Sequence, residues 1–108
     1  MANDDAAKIA ALNDAARTSL TGCRVVITQG IAGLGDVGEI FERVTSYTDF
    51  NQQNDPHGEH DFGSFECAGQ LVFWKFDYYD LDLLMHSPDP TDPTVTCRVL
   101  TVMLAQEY

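Results

Sequence analysis

The sequence predicts an α+β domain, a small antiparallel sheet of three to four strands packed against three helices in the order α-β-α-β-β-(β)-α. Three observations predict it. The N-terminal residues place apolar side chains at helical spacing. Residues 70–79 (QLVFWKFDYY) alternate with a period of two. Glycine and proline clusters cut the rest of the chain into lengths of one element each. With 108 residues, 44% hydrophobic and 10% aromatic, the chain reads as one domain over 1–108 that carries its own core.

The first helix is expected to start at Asn3 or Asp4 as cap, with Asp4 and Asp5 matching its positive end. Ile9, Leu12, Ala16 and Leu20 form its apolar face, and Gly22 stops it. Residues 23–28 (CRVVIT) are β-branched and bounded by glycines, which predicts a strand. Residues 30–36 (GIAGLGD) read as a glycine-punctuated turn, and Asp36 with Glu39 has the spacing of a capping box. Val37, Ile40, Phe41, Val44 and Tyr47 then make a second amphipathic helix that ends near residues 46–49.

Residues 51–61 (NQQNDPHGEHD) contain no apolar side chain and form a loop, with turn chemistry at Asn54, Asp55 and Pro56. Residues 61–67 and 70–79 follow as two strands, and the Ala68-Gly69 link makes an antiparallel hairpin of them. Val72, Trp74, Phe76 and Tyr78 face the core, while Leu71, Phe73, Lys75, Asp77 and Tyr79 face a half-wet side. Residues 81–85 read as one more short strand. SPDPTDP (87–93) is a rigid turn, after which Asp92 as cap and Pro93 at the first helical position open a final helix. Val95, Val99, Val102 and Met103 supply its stripe, widened by Leu100 and Leu104. The β-branched content makes a strand the rival, but the cap signal and the length decide for the helix.

Charge is the most informative feature. Seventeen acids against six bases give −11. Residues 49–92 hold ten acids (Asp49, Asp55, Glu59, Asp61, Glu66, Asp77, Asp80, Asp82, Asp89, Asp92) against one base, Lys75, a net −9. Such a field repels nucleic acid and anionic membranes, so direct binding to either is excluded and a basic protein surface or a cation is the preferred partner. No apolar run is long enough to span a membrane, and no secretory leader is seen. Cys23, Cys67 and Cys97 are well separated and odd in number, which reads as reduced thiols in the cytoplasm.

Two constellations carry possible chemistry. Asp55, His57, Glu59, His60 and Asp61 crowd two imidazoles and three carboxylates into seven residues. His57, His60 and Asp61 are candidate metal ligands there, against the plainer reading of a solvated turn or a pH-sensing cluster. The H-x-x-H spacing lies in a loop and lacks the helical register of a metalloprotease, so no metal or other cofactor is assigned. The second is Asp77, Tyr78, Tyr79, Asp80 and Asp82 at a strand end. Same-face residues of a strand lie about 6.5–7 Å apart, on the scale of phosphate spacing. Tyrosine and aspartate together also suit contact with arginine. A partner-binding site of Asp55, Glu59, Asp61, Asp77, Tyr79, Asp80 and Asp82 is therefore expected. No nucleophile elbow, P-loop or dinucleotide fingerprint is present, and no catalytic residue is assigned.

At NDPHGEHDFGSFE (54–66), FWKFDYYD (73–80), SPDPTDP (87–93) and RVLTVMLAQEY (98–108), the chain resembles a family of uncharacterised small bacterial proteins. That family is a domain of unknown function met on plasmids and other mobile elements. The resemblance covers roughly residues 8–108. It implies no chemistry, but a mobile-element setting favours proteins that blunt host defence or regulate transfer. The function expected is an acidic protein-binding protein, an inhibitor that mimics nucleic acid on a host-defence nuclease or effector complex, of anti-restriction or anti-CRISPR type. The alternatives are a regulatory or structural interaction domain, possible as a homodimer through its sheet edge, and a metal-dependent enzyme using residues 55–61.

Overall fold

A computed structural model describes residues 2–108, with side chains from Asp5 onward. The chain runs α1 (Ala2–Ser19), β1 (Arg24–Ile27), α2 (Gln29–Gly33), α3 (Val37–Thr45), β2 (Phe62–Cys67), β3 (Gln70–Tyr79) and β4 (Cys97–Leu104), then a 3-10 turn at Ala105–Glu107. The four strands form one sheet in the order β1-β4-β3-β2. The α+β class therefore holds, with four strands and three helices. The sheet is mixed, because β1 pairs parallel to β4 while the other pairs are antiparallel.

The β2–β3 hairpin is built as its pattern predicts. Ala68 and Gly69, both at positive φ (54° and 74°), make the two-residue turn whose twist matches the flanking strands. Val72, Trp74 and Phe76 are buried on one face, with Tyr78 half-buried behind them. Arg98, Leu100, Val102 and Leu104 of β4 share that face. Ile31 of α2 and Ile40 and Val44 of α3 close over them and are fully buried.

Several elements differ from expectation. The segment read as a final helix is β4, a central strand hydrogen-bonded on both sides. Its β-branched residues and two pairing neighbours outweigh the local cap signal. Asp92 instead closes a short turn, its carboxylate accepting from the N–H of Thr94 at 2.9 Å and from its hydroxyl at 2.7 Å. Residues 81–85 form no strand. Leu83 sits at φ +60°, which breaks the extended path. The glycine-rich segment at 30–36 overlaps the short helix α2, capped where the Thr28 hydroxyl accepts from the N–H of Ile31. The capping box at α3 is not formed: Asp36 makes no side-chain cap bond, and Glu39 reaches across to accept from the Cys67 thiol at 3.2 Å. α1 begins at Ala2, and the side chains of Asn3 and Asp4, expected as its cap, lie outside the described ones. Its buried face is Ile9, Ala10, Asn13, Ala16 and Arg17, so two polar residues lie where the apolar stripe was expected to continue.

Among the described residues no helix is long and apolar enough to cross a membrane.

Candidate functional site

Strand register brings the two segments that carry most of the acids to the sheet at one end. β2 begins with Phe62 opposite Lys75, and β3 ends with Tyr79 opposite Cys97. Segment 49–61 therefore enters the sheet at the same end at which 80–96 leaves and returns. Nine of the ten acids of residues 49–92 lie on 49–61 and 77–92, and only Glu66 is toward the hairpin turn at the opposite end.

The expected partner-binding residues divide into inward and outward groups. Asp55 is buried, and its carboxylate accepts from the N–H groups of Glu59 at 3.0 Å and His60 at 3.1 Å, so it holds the loop together instead of meeting a partner. Glu59 is half-buried and accepts from the Tyr78 hydroxyl at 3.1 Å. Asp61, Asp77 and Tyr79 line one cleft of about 300 Å³ with Phe76, Tyr78 and His86, in the gap between the start of β2 and the turn that follows β3. Burial, and then the nearby Glu59 carboxylate, push the Asp61 carboxyl above the usual aspartate range. Asp77 is paired with Lys75. Asp80 opens the turn beyond β3, and Asp82 lies exposed at its tip.

Few of these charges are neutralised. Among the described residues, the ion pair made by the nine acids is Asp77 with Lys75, and an Asp55 oxygen lies 3.7 Å from His60 Nε2. Arg17 and Arg98 are buried and turned to other partners. Arg17 holds Asp14 at 3.1 Å and the Val44 carbonyl at 2.8 Å, with its guanidinium carbon 4.9 Å from the centre of the Trp74 ring. Arg98 donates to Asn13 at 2.9 Å and to the carbonyl of Pro90.

Beneath the acidic end lies a buried polar network that sequence reading missed. The Asn13 amide donates to the Tyr78 hydroxyl at 2.8 Å and to the Glu59 carbonyl at 3.1 Å, while its oxygen accepts from Arg98. Burial, reinforced by the Glu59 and Asp61 charges, pushes the Tyr78 phenol well above its ordinary range. Burial pulls the Arg98 guanidinium below its own. A signal was present: Asn13 and Arg17 follow Ile9 at four-residue steps and so share its face.

His60 closes this floor on its other side. Its Nδ1 lies 3.0 Å from both oxygens of Asp14, and its ring stacks on Phe50 at 3.9 Å, parallel within 1°. Beside it, Asp14, Arg17, Thr18, Tyr47 and Phe50 help line a cleft of about 390 Å³. The candidate ligands His57, His60 and Asp61 are not drawn together. Among the described residues, no three His, Cys, Asp or Glu side chains are grouped to hold a metal ion.

Searches of the curated proteins and of the solved structures returned no match. A family model does match, over residues 27–107, from the last residue of β1 to the 3-10 turn. This chain belongs to that family, described as protein of unknown function DUF3768.

Proposed function

We propose that the protein is an acidic interaction module that lays one end of its sheet against the basic surface of another protein. It acts as an inhibitor that takes the place of nucleic acid on a nuclease or effector complex. One observation carries the reading: nine carboxylates lie on two segments that enter and leave the sheet at the same end, and among the described residues no arginine pairs with any of them. Carboxylates held this way attract cationic grooves and speed encounter with them. A bacterial mobile-element setting and an anti-restriction or anti-CRISPR role belong to the same proposal.

The test is binding to a panel of purified restriction nucleases and RNA-guided effector complexes, at about 50 and about 300 mM salt, with and without duplex DNA. Binding that weakens steeply with salt and is displaced by DNA supports mimicry. Affinity indifferent to salt, or unaffected by DNA, overturns it.

A second reading rests on β1. Val25, Val26 and Ile27 are exposed, and β1 is an edge strand paired only with β4. Such an edge can add a strand from a partner or a second copy. On that reading the protein is a regulatory or structural domain whose complex ignores nucleic acid.

A further inference from the structure

Leu81, Leu83, Leu84 and Met85 occupy a single turn at the mouth of the acidic end, and they are 64%, 38%, 81% and 71% exposed. The turn is well held. The Asp80 N–H donates to the Met85 carbonyl at 2.8 Å, and the Leu83 N–H to the Asp80 carbonyl at 3.0 Å. The Leu84 N–H donates to the Asp80 carboxylate at 3.0 Å. At its base, Tyr79 and His86 form an antiparallel bridge, and the Ser87 N–H donates to the Tyr78 carbonyl at 3.0 Å. Turn tips are ordinarily polar. Four large apolar side chains held outward by a hydrogen-bonded turn have the form of the apolar centre of an interface.

Charge decides what covers it. Asp80 and Asp82 belong to the turn itself, and Asp61 and Asp77 stand in the adjoining cleft beside Tyr79. Lys75, the one base of the acidic stretch, is already tied to Asp77. Two copies meeting tip to tip would set carboxylate against carboxylate, and an anionic lipid surface would be repelled. We infer that this tip seats in an apolar patch bordered by lysines or arginines on another protein, one of whose basic side chains enters the cleft between Asp61 and Asp77. The inference rests on the acidic-module reading above and adds to it an apolar anchor. The tyrosine ring and the two carboxylates suit such a basic side chain through cation–π contact and charge-assisted hydrogen bonds.

Two synthetic helical peptides of equal positive charge test it. One borders a leucine stripe with lysines, and the other has serine in place of each leucine. Labelled peptides are titrated with the full chain, read by fluorescence anisotropy. The leucine-bearing peptide is expected to bind about tenfold more tightly, a preference that disappears in the Leu84→Ser/Met85→Ser double variant while the serine peptide binds unchanged. Both side chains lie outside the core, and far-UV circular dichroism checks that the variant is folded. A preference that survives in the double variant overturns the tip as anchor and leaves the acidic module standing. Binding of neither peptide at low salt overturns both. Dimers in sedimentation that the double variant loses, or flotation with phosphatidylcholine vesicles that it loses, give the tip to a second copy or to lipid and overturn the inference.

Discussion

Arg98 of β4 donates from Nε to the side-chain oxygen of Asn13 in α1 at 2.9 Å, tying the first helix to the last strand through two buried side chains. Asn13 is fully buried, and its amide also serves Tyr78 and the Glu59 carbonyl. It is the one side chain that satisfies all three at once.

Replacing Asn13 with alanine leaves a buried guanidinium, a phenol and a carbonyl each short of a partner. Asn13→Ala is expected to destabilise the fold by about 2–4 kcal/mol, more than a surface substitution and more than loss of one neutral hydrogen bond. The urea unfolding midpoint measures it.

Asp55 has a structural duty that its charge conceals. Asp55→Ala leaves the N–H groups of Glu59 and His60 without their acceptor, at about 1–3 kcal/mol. Asp55→Asn retains an oxygen in the same place and is expected to recover most of that loss. Hydrogen exchange at these two amides distinguishes local opening from general destabilisation.

Gly63 is required by packing. A Cβ there would collide with the indole ring of Trp74, a side chain with no exposed surface. Gly63→Ala is expected to cost about 1–3 kcal/mol, seen as a lower melting temperature with the Trp74 fluorescence changed in the folded state.

Two carboxylates give stability opposite pH dependences. Glu107 is held below the usual glutamate range, first by the Thr28 hydroxyl and then by the Leu104 N–H, so its contribution is present above that range and is lost as pH falls through the folded value. Asp61 is raised by burial, so the fold gains from its protonation at low pH and loses that gain as pH rises through the raised value. Glu107→Gln should be less stable than the parent at neutral pH, with the gap closing in acid. Asp61→Asn should be more stable at neutral pH, and that gap too should close as pH falls through the aspartate range. Urea midpoints from about pH 3 to about pH 7 follow both.

The β2–β3 hairpin was legible in the sequence because one of its faces is buried and the other is wet, which prints a period of two on residues 70–79. β4 was not. Arg98 shares the inward face, Met103 on the other face is also buried, and Asp92-Pro93 imitates a helix start, so local signals pointed away from the strand that pairing imposes. The acidic stretch was visible as composition, but its gathering at one end depends on register. The turn at 81–85 shows the same limit, since its apolar residues read as a short strand until the structure set them in an exposed turn. Asn13 and Arg98 are far apart in the chain, and nothing local marks them as partners.

The central place of β4 has a consequence for how the molecule assembles. Among the described residues β1 has no strand neighbour except β4, which follows the other three strands along the chain. The hairpin can close within a few residues of its turn, but the first strand must wait until the last has been synthesised. Such distant pairing slows folding and leaves Val25, Val26 and Ile27 bare on the nascent polypeptide. Clipping the chain within β4 would split the sheet between its neighbours, detaching β1 outright.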